Sequence, residues 1–278
     1  MDLDLTVFYM YWSEEEVEDY IRYPSEGSAE ELGSPIYFIA QYEVEQEGAM
    51  EDIINDLEEN GYDYAPLRPY YLREYYEVET GEVHSIDEDQ YIRYNEIMLY
   101  CINILTEYPF ALAVHPDKDS WRIVTPADLN TRTAKEFLFT YYAEMAKAVS
   151  DLIKNEYTID KLQEAYNDVR PRGQAIDRWS NAVDKNVNLH PVEFMSIADL
   201  KEVVRNNKGL LDELGFPSKT QCKQAFDTVE KYRNKVMHGN RTVISSEEDV
   251  EALVESLEIA CDIAVSAGGD SPGLDNLR

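Results

Sequence analysis

SKTQCKQAFDTVEKYRNKVMHGN, residues 218–240, reads as one amphipathic helix. Cys222, Ala225, Phe226, Val229, Tyr232 and Val236 recur every three or four positions, which lines them along one face of a 3.6-residue turn. Gly239 marks the stop, because glycine enters the left-handed conformation that ends a helix at no steric cost. Arg233, Asn234 and His238 are the polar exceptions near that end. On an unbroken helix, five positions set Arg233 and His238 about 140° apart, and cations there also oppose the helix dipole without any substrate.

The helical period extends to both sides. Residues 133–155, 159–168, 197–214 and 247–267 each carry it, with Pro, Gly and Asn at the joints, and Ser246 with Asp249 has the spacing of a capping box before the last. Toward the N-terminus the pattern changes. Ser34–Val44 (SPIYFIAQYEV) is β-branched and aromatic and reads as a strand. Ala49–Asn60 follows as a helix with Met50, Ile53, Ile54 and Leu57 at helical spacing, closed by Asn60-Gly61, and Tyr62–Leu67 as another strand. After an acidic, tyrosine-rich connection the order returns: helix 94–107, strand 111–115, turn 116–120, strand 122–125. The expected fold class is α+β. An α/β module spans residues 34–132 and an all-helical bundle residues 133–267; residues 1–33 are unassigned, and 268–278 have the composition of a frayed tail.

The chain has 56 acids and 25 bases, a formal charge of −31, yet is 44% hydrophobic with 21 tyrosines, which points to a folded protein rather than a disordered acidic tail. A surface so acidic suits a salt-filled cytoplasm, where the Debye length falls to about 3 Å at 1 M. The acids are unevenly placed. Residues 1–117 hold 29 acids and 4 bases, residues 118–241 hold 18 and 20, and residues 242–278 hold 9 and 1. The near-neutral middle block suits a surface that meets a polyanion, and equally a set of helices rich in i,i+4 ion pairs. The first residues carry acids where a secretory signal carries Lys or Arg, so a cytoplasmic location and no membrane partner are expected. Cys101, Cys222 and Cys261 are odd in number and lie in apolar stretches, and His84, His115 and His190 have no second ligand at metal spacing; no metal site is expected.

Two family resemblances rest on particular residues. RIVTPADL, residues 122–129, preceded by helix, strand and turn, resembles the second half of a cystathionine-β-synthase (CBS) motif. The resemblance implies a paired module binding an adenosine nucleotide as a regulatory ligand, with Thr125 and Asp128 holding ribose and phosphate. The same Thr-Pro-Ala-Asp is also a good helix start, with Thr125 as N-cap and Pro126 at N1. In the other half, Arg233 and, four intervening residues later, His238, with Asn234 directly after the arginine, on a penultimate helix, resemble the HEPN (higher eukaryote and prokaryote nucleotide-binding) domain family. That resemblance implies a homodimeric, metal-independent RNA endonuclease that requires no cofactor, with catalytic Arg233, Asn234 and His238 and with RNA as partner. Together they give a nucleotide-sensing endoribonuclease; the alternative is a non-catalytic regulatory or scaffold protein that dimerises through its helical domain.

Overall fold

The computed structural model describes residues 34–35, 39–40, 49–68, 73–93, 98–114, 122–170, 174–187 and 189–269. Residues 1–33, His115, the turn 116–120, the start of the helix expected at 94–107 and most of the tail lie outside the described residues. The chain divides between Thr133 and Ala134 into two compact units.

The first unit is built from β1 (Ser34–Pro35), β2 (Ile39–Ala40), α1 (Ala49–Asn60), β3 (Tyr64–Arg68), β4 (Glu74–Glu77), β5 (Glu82–Ser85), β6 (Tyr91–Arg93), α2 (Met98–Ile104), β7 (Ala111–Val114) and β8 (Arg122–Val124). Its described strands form two sheets, ordered β2-β3-β4-β5 and β1-β8-β7-β6. In one, β2 and β3 are parallel and β4 returns antiparallel; in the other, β6 and β7 are parallel and β8 returns antiparallel. A parallel pair needs a crossover, and α1 and α2 stand at the two crossover positions in the chain. The order strand, helix, parallel strand, antiparallel strand therefore occurs twice. Of the strand expected at Ser34–Val44, the described residues are β1 and β2, which pair in different sheets; the remainder lies outside the described residues.

Helix α1 stops where expected. Gly61 takes φ +70°, its amide bonds Glu58 O, and the Tyr62 amide bonds Leu57 O at 2.9 Å, the return that closes a helix C-terminus. The tyrosine-rich connection is a hairpin, β4–β5, whose turn ends on Gly81 at φ +70°. Neighbouring tyrosines on β4 point to opposite faces. Tyr76 packs with Leu57, Ala65 and Leu67, whereas Tyr75 packs with Ile86, Phe110, Leu112 and Ile123. One strand thus has a core on each face, and the Tyr75 ring meets Phe110 edge-on, 4.7 Å between centroids. Buried Gln90 ties this core to the backbone by donating to Phe110 O at 3.1 Å.

The second unit has no strand among its described residues. It comprises α3 (Arg132–Glu156) from Ala134 onward, α4 (Ile159–Val169), α5 (Ala175–Val183), α6 (Ile197–Asn206), α7 (Lys208–Glu213), α8 (Lys219–Met237) and α9 (Glu247–Ser266). Ala134, Leu138, Tyr142, Met145, Val149 and Leu152 make the buried stripe of α3, and Cys222, Phe226, Val229, Tyr232 and Val236 that of α8. Helix α8 packs against α6 and α9. The helix expected at 197–214 is two: Asn207 turns extended (φ −111°, ψ 118°), and its side chain accepts from the Leu210 amide to start α7. Helix α5 was not expected from the sequence at all. Buried Asp199 ties α6 to α4 by accepting from Tyr166 Oη at 3.1 Å and Arg170 Nε at 3.0 Å while capping its own helix at Ser196.

Candidate functional site

The end of α8 carries the residues that the sequence singles out. Ser218 caps its start by accepting from the Gln221 amide at 3.2 Å, and its apolar stripe seats it in the bundle. Gly239 is not what stops it. That glycine lies outside the left-handed region; the helix ends because His238 itself turns extended, at φ −96° and ψ 103°. The 140° separation of an unbroken helix therefore does not apply, since His238 stands one residue beyond the last turn.

Arg233 and Asn234 are brought together: Arg233 Nη1 donates to Asn234 Oδ1 at 3.1 Å. His238 is exposed, and no hydrogen bond links it to either residue. The guanidinium has no carboxylate partner among the described residues.

What holds this region was not legible beforehand. Lys135, buried at 9% exposure in the first turn of α3, donates to Gly239 O at 3.2 Å and to Arg241 O at 2.8 Å. A cation near a helix N-terminus is repelled by the positive end of the dipole, and Lys135 directs its charge to the carbonyls at the exit of α8, where positive charge is favoured. Lys235 grips the same loop further on, donating to Val243 O at 2.9 Å and Asp249 Oδ1 at 3.1 Å. Asp249 Oδ2 accepts from the amide and hydroxyl of Ser245, so its carboxylate reaches past the expected capping partner Ser246. The Ser245 hydroxyl and amide, and then Lys235, hold the Asp249 carboxyl well below the usual carboxylate range against the opposing effect of burial. Burial, and then the Asp249 charge, push the Tyr232 phenol up to about 12. The loop from His238 to Ser246 is thus clamped by two lysines. A lysine within the apolar stripe of α3 was the one sequence signal that could have flagged this.

Thr125 and Asp128 are also brought together. Asp128, buried at the third position of a 3-10 turn (Pro126–Asn130), accepts at Oδ2 from the Thr125 amide at 2.8 Å and from Thr125 Oγ1 at 3.0 Å. The Thr125 hydroxyl, which the CBS resemblance gives to a ligand, is donated to its neighbour. The local geometry is that of a helix start.

The described histidines elsewhere have structural partners. His84 Nε2 lies 3.1 Å from Glu77 Oε2, out of line for a hydrogen bond, and His190 Nδ1 accepts from the Val192 amide at 3.3 Å. All three cysteines are buried, and burial pushes the Cys222 thiol up to about 11, which keeps it from acting as a nucleophile. Among the described residues no group of His, Cys, Asp and Glu is gathered to hold a metal ion, and no helix is long and apolar enough to cross a membrane. No family model matches the chain, and no match is found among curated proteins or solved structures.

Proposed function

We propose that the helical unit is a metal-independent RNA endonuclease of the HEPN type, acting as a homodimer, and that the first unit is a CBS-like module whose binding of an adenosine nucleotide regulates it. The observation that carries this reading is the end of α8. In a chain with 56 acids against 25 bases, Arg233, His238 and Arg241 stand there with no carboxylate in ion-pairing distance among the described residues. The twice-repeated order of strand, helix, parallel strand and antiparallel strand supports the module in the first unit.

The chemistry needs few groups. His238 takes the proton of a ribose 2′-hydroxyl, the 2′-oxygen attacks the adjacent phosphorus, and the bond to the 5′-oxygen breaks, that oxygen leaving with a proton from water. Arg233, oriented by Asn234, stabilises the charge that builds on the phosphoryl oxygens. The products are a 2′,3′-cyclic phosphate and a 5′-hydroxyl. The test is incubation of the full chain with single-stranded RNA in EDTA and analysis of the ends. RNA that stays whole at every salt concentration, with and without nucleotide, returns the protein to the non-catalytic, dimerising reading.

A further inference from the structure

We infer that Arg241 is a phosphate-binding residue of the same surface, engaging the backbone of the nucleic-acid strand beside the phosphate that Arg233 and His238 act on. The inference rests on the ribonuclease reading and adds a residue to it that neither family resemblance supplies.

His238 and Arg241 are the first and last residues of one tight turn. The Arg241 amide donates to His238 O at 2.9 Å, and the ends of such a turn lie within about 7 Å of each other at Cα. Both side chains are exposed, so imidazole and guanidinium leave the protein from neighbouring points. The turn is fixed from beneath. Lys135 occupies the carbonyls of Gly239 and Arg241, and Lys235 that of Val243, so these three carbonyls of the loop are engaged on the protein side.

Donors remain free on the outer side. The Arg241 guanidinium has no partner among the described residues. The amides of Gly239 and Asn240 donate to no described acceptor, and Asn240 is exposed. A Cβ placed on Gly239 meets nothing within 4 Å, so the outer side of the turn is open. A turn held from beneath by two lysines, presenting an unpaired guanidinium and two unbonded amides in a strongly acidic chain, complements an anion. Because His238 stands at its other end, the fitting anion is a phosphate next along the strand, and the guanidinium fork suits it in geometry as well as charge.

The test uses the full chain and a labelled single-stranded RNA carrying 2′-O-methyl riboses, which binds but cannot be cut. Removing one phosphate contact on a single strand lowers the dependence of log affinity on log salt by about 0.7. Arg241→Ala should lose about that much slope and weaken binding roughly ten-fold, the loss of a charge-assisted hydrogen bond. Arg241→Lys should keep the slope. On cleavable RNA, Arg241→Ala should raise KM by a larger factor than it lowers kcat. If Arg241→Ala binds with unchanged affinity and slope while His238→Ala abolishes cutting, this inference fails and the ribonuclease reading stands. If the unsubstituted protein neither binds the probe nor cuts RNA, both fail.

Discussion

Lys135 Nζ lies 2.8 Å from the carbonyl oxygen of Arg241, 106 residues further along the chain. With its second bond to Gly239 O, this buried ammonium holds the exit of α8 against the start of α3. Lys135→Met keeps most of the side-chain volume and removes the donor, leaving two carbonyls unmatched. We expect a loss of about 1–3 kcal/mol, read as a lower urea midpoint. Amide exchange at Arg241, whose N–H bonds His238 O across the turn, should accelerate more than in α9. An unchanged midpoint with unchanged exchange would show that the clamp is idle.

The network on the other side of the loop gives a pH signature. Asp249 is held below its ordinary value by Ser245 and Lys235. A carboxyl depressed in the folded state stabilises it fully above the unfolded pKa of about 3.9 and loses that contribution as pH falls from there toward the folded value. Asp249→Asn should therefore be less stable than the unsubstituted chain at neutral pH, and the difference should narrow steadily below about pH 4. Asp199, whose burial is outweighed by Ser196, Tyr166 and Arg170, titrates in the same direction, so the parent retains some acid sensitivity after the substitution. Equal slopes of stability against pH in both proteins would refute the role given to Asp249.

Much of the helical architecture was legible because its signal is local. The stripe from Cys222 to Val236 reports its period within 15 residues, and α8 lies within three residues of the reading at either end. The β4–β5 hairpin was missed for a physical reason: Tyr75 and Tyr76 are both buried, one in each core, so the strand shows no alternation of apolar and polar positions. The break at Asn207 was missed because the apolar period continues across it. At the site, Arg233, Asn234 and His238 could be picked out by type and spacing. Lys135 stands out only as a lysine within the apolar stripe of α3; its partners do not, since they are backbone carbonyls, which every residue has.

Asp128 separates a helix cap from a ligand site. Its bonds to Thr125 form a helix cap in their own right, so Asp128→Ala should cost about 1 kcal/mol whether or not a nucleotide binds. The nucleotide reading predicts more. ATP, ADP, AMP or adenosylmethionine at millimolar concentration should raise the melting midpoint of the unsubstituted chain, because a ligand bound to the folded state stabilises it. Asp128→Ala, already melting lower, should gain less from the same ligand. Should none of the four shift the unsubstituted midpoint, the regulatory module loses its ligand.

The bond from Arg233 to Asn234 makes the last prediction specific. If His238 removes the 2′-hydroxyl proton and Arg233 steadies the phosphate, His238→Ala and Arg233→Ala each remove a group that touches the reacting atoms. General-base loss alone is worth about 10²–10⁴ in rate. Neither side chain belongs to the buried stripe of α8, so both variants should melt close to the unsubstituted protein. Asn234 touches no reacting atom in this scheme; it positions the guanidinium through one hydrogen bond. Asn234→Ala should therefore lower kcat by a smaller factor than Arg233→Ala, and combining the two should cost little beyond Arg233→Ala alone, because the second change removes a support for a group already gone. DNA of the same sequence should survive, lacking the 2′-hydroxyl. Strictly additive losses would show that Asn234 acts on the substrate by itself, and full-rate cutting by His238→Ala would remove the proposed base from the mechanism.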